Sequence, residues 1–217
     1  MSIVYGTQEW TVENACHTIY RDGTPIPQVT DNDEWANLTT GAWCYHNNDP
    51  TKGILYNWYA VMGIHDNDPN TQNKQFAPDG WHVPTGNEWT AFQAYLTANG
   101  YSYDGTTTTG GNKIAKSMAS TTGWYSSTDP GAPGNNQSLN NSSGFNAFPL
   151  GSRSYNYGTF APEGDHAVFW SSTTEFINDG VVYIQDRGFR EIEYFGYNLV
   201  GGTIGGASGF SVRLVKD

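Results

Sequence analysis

The sequence predicts an α+β domain of 217 residues, with short strands, two or so short helices and extensive loops. Three observations predict it. Aromatic residues reach 15% although hydrophobic residues as a whole make up only 37%, with 8 Trp, 14 Tyr and 10 Phe. Each aromatic side chain buries roughly 150–250 Å², so a core can form despite scarce Leu and Ile. The 26 Gly argue for tight turns rather than long helices. Helical spacing is clearest over Pro84 to Asn99, whereas strand-like runs gather towards the C-terminus.

Residues 1–30 read as short strands and turns, with an Asp22-Gly23 turn and two prolines, Pro25 and Pro27, that confine the backbone. Asp31 to Leu38 fits a short helix with an acidic first turn, closed off by Gly41. Trp43, Tyr45, Tyr56, Trp58 and Tyr59 form an aromatic stretch expected in the core. His65 to Gln75 is a polar loop. Its Asp66, Asp68 and Asn70 alternate like a calcium loop, but Thr71 stands where the sharp-turn Gly belongs and Ala77 where the bidentate Glu belongs, which excludes an EF-hand. Pro84 to Asn99 is a helix that Thr85 or Asn87 can cap, with Glu88 in its first turn and Trp89, Phe92 and Leu96 at helical spacing. Gly100 stops it. A shorter helix is expected around Asn112–Met118. Gly123 to Ser143 reads as long loops, and a compact domain carrying so much loop usually uses it. Ala167 to Asp217 reads as strands: Phe169-Trp170, Val181 to Ile184, and Phe210, Val212, Leu214 alternating with Ser211, Arg213, Val215.

The formal net charge is −11, from 10 Lys+Arg against 21 Asp+Glu, and no basic cluster is present to meet a phosphate backbone. Nucleic acid is therefore not an expected partner. No window is long enough to span a bilayer, so membrane insertion is not expected either. Cys16 and Cys44 are the two cysteines, and one disulfide or two thiols both fit the sequence. Met1 to Gly6 lacks the basic start and apolar stretch of a signal peptide.

Four signposts stand in fixed order: Tyr56-Asn57-Trp58-Tyr59-Ala60-Val61, Ala77-Pro78-Asp79-Gly80-Trp81-His82-Val83-Pro84-Thr85, Phe169-Trp170-Ser171-Ser172-Thr173, and Gly209 to Asp217. Together they resemble the Fibrobacter succinogenes major paralogous domain, a branch of the C-type-lectin-like and formylglycine-generating-enzyme-like fold. The resemblance runs from Gln8-Glu9-Trp10 to Asp217 and implies a single domain over 1–217. It also implies a small twisted antiparallel sheet, built from the C-terminal strands, with the termini close together. Family members usually carry an export leader. Its absence here raises the expectation of a leader removed, or of exit by lysis with a virion.

The residues give no support for catalysis. The copper-binding cysteine pair of the formylglycine-generating enzymes lies late in the chain, whereas Cys16 and Cys44 lie early. The five histidines show no His-x-x-x-His spacing, Gly-x-Ser-x-Gly is absent, and His82 is expected as a core histidine bonded to backbone. Glu191 and Glu193 read as a solvated pair. The Glu-Pro-Asn, Gln-Pro-Asp and Trp-Asn-Asp signatures of calcium-dependent lectins are missing. No cofactor is expected, with a structural calcium left open.

Binding is expected in Thr173 to Ser208, the span that is hypervariable in retroelement-diversified lectin-like proteins. Its Tyr183, Tyr194 and Tyr197 offer rigid contact area. Asn178, Asp179, Gln185, Asp186, Arg190, Glu191 and Asn198 offer hydrogen bonds. Tyr155 and Tyr157 supply further rings for a sugar face. The expectation is a non-catalytic adhesin or receptor-binding module for a bacterial surface glycan or protein. Its expected setting is a virion or extracellular particle, oligomeric in place among other particle subunits, or a bacterial cell surface if a leader was removed. A retroelement-diversified protein, a virion decoration protein and a polysaccharide-acting enzyme are the alternatives.

Overall fold

The structure, a computed structural model, describes residues 1–108, 112–178 and 183–217, with backbone alone for 174–178 and 183–186. In chain order the elements are β1 (Ser2–Tyr5), β2 (Gln8–Thr11), α1 (Asn32–Ala36), β3 (Trp43–Tyr45), β4 (Ile54–Tyr56), α2 (Trp58–Val61), β5 (Trp81–His82), α3 (Gly86–Ala98), α4 (Ala115–Met118), β6 (His166–Asn178), β7 (Tyr183–Glu193), β8 (Val200–Ile204) and β9 (Val215–Lys216). This is an α+β arrangement with few helices and several antiparallel sheets.

The strands form three sheets, in the orders β1-β2-β9-β5, β3-β4 and β6-β7-β8. Trp10 of β2 lies opposite Val215 of β9, so the chain ends are side by side, as expected. The single sheet expected from the C-terminal strands is instead divided. Phe169 and Trp170 belong to the β6-β7-β8 sheet and Val215 to the other, and a parallel bridge joins Phe169 to Ser211 on the segment that leads into β9. Val181 and Val182 lie outside the described residues.

The alternation expected over Phe210 to Val215 is overturned. Ser211, Arg213 and Val215, set in alternation with Phe210, Val212 and Leu214, are as buried as they are. The segment is flanked on both sides: Phe210 bridges Tyr56, and Trp170 donates its N–H to Ser211 O at 3.1 Å. Its two faces are covered as well: Phe210, Val212 and Leu214 enter one core cluster, while Val215 enters another and Arg213 lies over Phe145 of that one, so neither face meets solvent.

Helix α3 forms where its caps allow it. Thr85 accepts from Glu88 N–H while the Glu88 carboxylate accepts from Thr85 N–H, a complete capping box, and Gly100 follows at φ +79°. Its Trp89, Phe92 and Leu96 pack with Trp10, Phe145 and Phe169 in one core cluster. Helix α1 is capped by Asp31 and ends at Asn37 rather than near Gly41. Helix α4 is a single turn, shorter than expected. A second cluster gathers Tyr56, Trp58, Trp170, Phe210 and Val212.

Two buried arginines tie the layers together without a carboxylate in ion-pair reach among the described residues. Arg153 donates to the carbonyls of Val29, Thr30, Asp31 and Gly158 and lies 4.4 Å from the Trp35 ring centroid. Arg213 donates to Asn14 Oδ1, Thr11 O and Asn146 O, 4.6 Å from the Phe145 centroid. Carbonyl dipoles and ring faces together compensate a buried guanidinium. Cys16 and Cys44 are both free thiols; burial pushes Cys44 up to about 11, against an opposing pull from Arg153.

His82 is not the expected core histidine. Its ring is half-exposed and lies between two carboxylates, Nδ1 at 2.8 Å from Asp217 Oδ1 and Nε2 at 2.7 Å from Glu88 Oε1. The short β5 strand leaves it on the rim, where α3 supplies Glu88 and the residue after β9 is Asp217. Partial burial opposes its charge, but the bonds to Asp217 and Glu88 prevail and raise its pKa.

Candidate functional site

The loop from Gly123 to Ser143 is held by its own polar groups rather than by regular structure. Gln137 bonds both ways with the Trp124 backbone, and Asn140 donates to Ser120 O and Pro133 O. Lys116 on α4 donates to Ala132 O and Asn135 O. Gly134 donates to Tyr194 O at 2.9 Å, and a Cβ there would stand 2.2 Å from Tyr125 O, so glycine alone fits. The 194–198 turn is pinned from the other side: Ala115 N–H donates to Tyr197 O and Lys113 N–H to Asn198 Oδ1.

Rings line the outside of this frame. Tyr103 pairs with Tyr197 at 5.8 Å between centroids. Tyr125 meets Tyr194 at 5.7 Å and 79°, and Tyr194 meets Phe195 at 5.1 Å and 79°. These are edge-to-face geometries that aromatic pairs favour. Tyr103, Tyr125, Phe195 and Tyr197 are 41%, 45%, 52% and 38% exposed, whereas Tyr194 also packs on the core. The loop runs between the two groups, with Gly131 against Tyr103 and Gly134 against Tyr125. The result is an aromatic arc.

One end of the arc is acidic. Tyr194 N–H donates to Asp165 O, and the adjacent His166 has Nδ1 3.4 Å from both Asp165 Oδ2 and Glu191 Oε1. Its Nε2 lies 3.0 Å from Ser152 Oγ. The Glu191–Glu193 pair is not the solvated one expected. Burial, then Glu193 and Asp165, push the Glu191 carboxyl up to about 7, and burial and Asp165 raise Glu193. Burial lowers His166, against the pull of Asp165, so the ring offers these acids little positive charge.

Tyr194, Tyr197, Asn198 and Glu191 are thus brought to this region. Tyr155 and Tyr157 are not. The Tyr155 ring lies against Gly205, just past the end of β8, while Tyr197 and Asn198 precede its start. Five strand residues span roughly 17 Å. Arg190 donates to Phe189 O and sits over Gly201. Asn178, Tyr183, Gln185 and Asp186 are placed by backbone alone, with Asn178 opposite Tyr183, Phe176 opposite Gln185 and Glu175 opposite Asp186. Asp179 lies outside the described residues.

Residues 3–216 match the sequence model of the Fibrobacter succinogenes major domain. The chain belongs to that family. No curated protein and no solved structure matches it.

In this Fibrobacter succinogenes major domain, sequence reasoning singled out the 123–143 loop but none of its side chains. Tyr103, Tyr125, Lys116 and Asp165 are not singled out by it, whereas Phe195 falls within the Tyr194 to Asn198 stretch that it offers for a sugar face, and His166 counts there only as one of five histidines. Tyr103 and Tyr125 did carry a signal, as large rings in stretches otherwise rich in Gly, Ser, Thr and Asp. Loops of that composition have little apolar surface in which to bury a ring.

Proposed function

We propose that the chain is a non-catalytic surface-recognition protein, an adhesin or receptor-binding module whose aromatic arc holds a bacterial surface glycan or protein. The arc carries the reading: exposed rings from three separate stretches gather in two groups along the 131–134 loop, backed by backbone hydrogen bonds that fix them before a ligand arrives. Sugar rings present an apolar C–H face to such side chains, and the Asp165–Glu191–Glu193 end supplies acceptors for hydroxyls. Display on a virion, particle or cell surface, with repeated copies, lets weak single contacts sum.

The finer fold that goes with this reading is the C-type-lectin-like one. Its support is the β2–β9 pairing that closes the termini, with α3 packed against β1 and β6. An experimental structure without that closure would remove the support.

A glycan array probed with the full chain tests the function. Tyr197→Ala and Phe195→Ala should each weaken retention at least tenfold with a melting temperature within a few degrees, as for exposed sites. Tyr157→Ala, far from the arc, should change nothing. Binding that survives both arc variants would overturn the reading.

The Ser152–His166–carboxylate order favours a second reading, a hydrolase with Ser152 as nucleophile and His166 as base. The 3.4 Å approaches to Nδ1 are longer than orienting hydrogen bonds, which places it second. Cleaved glycan that disappears with Ser152→Ala would promote it.

A further inference from the structure

We propose that the cleft at the Tyr103 end of the arc takes an acidic sugar, its ring on Tyr103 and its carboxylate on the Lys116 ammonium. This rests on the recognition reading above and names a ligand class for that surface.

A cleft of about 350 Å³ opens here, lined by Tyr101, Ser102, Tyr103, Lys116, Pro130 and Leu139 among others. Lys116 is only 9% exposed, yet no carboxylate among the described residues lies within ion-pair distance of it. Its Nζ gives two hydrogen bonds, to Ala132 O and Asn135 O, and an ammonium has three N–H groups to give. One therefore remains. The acids on neighbouring stretches are engaged elsewhere: Asp104 Oδ2 is 2.5 Å from Lys113 Nζ, and Asp129 Oδ1 accepts from Gly131 N–H. Holding a charge in such surroundings without a counter-ion is costly, and burial accordingly lowers the Lys116 pKa. A ligand carboxylate arriving in the cleft would supply the missing partner.

Two further groups suit the same ligand. The Ser102 hydroxyl, which also belongs to the lining, is buried without a hydrogen-bond partner among the described residues. The Tyr103 ring, held by Tyr197, presents a half-exposed face of sugar size. A comparable cleft of about 380 Å³ beside Trp81 lacks this arrangement. Its cations are already matched, Lys74 by Asp22 and His82 by Glu88 and Asp217. Lys116 differs in having no acid within ion-pair distance among the described residues. Its two carbonyl bonds also pin the 132–135 loop, and a purely structural lysine would show no preference for a ligand's charge.

The test is calorimetric titration of the full chain with an oligogalacturonate and with the same oligosaccharide after reduction of its carboxylates. The acidic form should bind at least tenfold more tightly, with the difference shrinking as salt rises. Lys116→Met should abolish the difference, and Tyr103→Ala should weaken both. If Lys116→Met does not fold, the charge preference and Tyr103→Ala still decide. Equal binding of the two forms, or a preference that survives Lys116→Met, overturns the proposal but leaves the recognition reading standing if Tyr197→Ala still reduces binding. Failure of the acidic form overturns it as well. Failure of every glycan on the array then removes the recognition of glycans too.

Discussion

Glu191 shows how one side chain on β7 answers to groups from two places in the sequence. Glu193 lies two residues on, and Asp165 and His166 come from the start of β6, with burial the largest influence. Because its folded pKa of about 7 lies above the ordinary 4.5, the folded state holds this proton more tightly than the unfolded chain does. Its contribution to stability is full below about pH 4.5 and is lost as pH rises through about 7. Glu191→Gln removes the penalty. The variant should match the parent near pH 4.5 and gain stability at pH 8, by up to about 3 kcal/mol for a shift of this size. Denaturant melts at the two pH values measure it, and a gain of equal size at both would show that the Glu191 charge is not what burial penalises. None of this was legible in the sequence. A Glu-x-Glu spacing on a strand gives a shared face but not the chain folded over it, and His166 acquires its meaning only from Ser152 and Glu191.

At the scale of elements, legibility followed how local the determinants are. Helix α3 was readable because Thr85, Glu88 and the apolar Trp89, Phe92 and Leu96 specify it within one window. The Phe210–Leu214 segment was misread because its surroundings come from Tyr56, Phe169 and Thr11, all remote in sequence. The α3 cap yields two expectations. Thr85→Ala should cost about 1 kcal/mol, the usual value for losing a capping hydroxyl. Glu88 belongs at once to that cap and to His82, so it couples α3 to β5 and, through Asp217, to the end of the chain. Glu88→Gln should therefore bring the raised His82 pKa down towards its ordinary 6.5, as read by NMR titration of the ring. His82 stabilises the fold in its charged form, fully below about 6.5 and progressively less as pH rises through its folded value. An unchanged titration in Glu88→Gln would leave Asp217 as the sole source of the shift.

Across the whole molecule, the aromatic signposts act as clamps between layers, and they are not equivalent. Trp170 is fully buried, donates Nε1–H to Tyr56 O at 2.7 Å and lies 4.5 Å from the Phe210 ring. It thereby joins β4, β6 and the closing segment at one point. Trp81, from a signpost that the sequence ranks equally, is half-buried on the edge strand β5 and faces an open cleft. Equal prominence in sequence hides this difference, because it depends on which layer covers the ring rather than on the residue type. Trp170→Ala should cost on the order of 3–5 kcal/mol, as for a buried large-to-small change that leaves a cavity. A domain of this size loses roughly 2–4 °C per kcal/mol, so the melting temperature should fall by roughly 6–20 °C. Trp81→Ala opens no enclosed cavity, since its ring already meets solvent, and should shift the melt by less than half as much. Calorimetric melts of the two variants decide the matter. Equal losses would mean that β5 is covered in the folded protein, and the layering that places the cleft beside Trp81 would have to be redrawn.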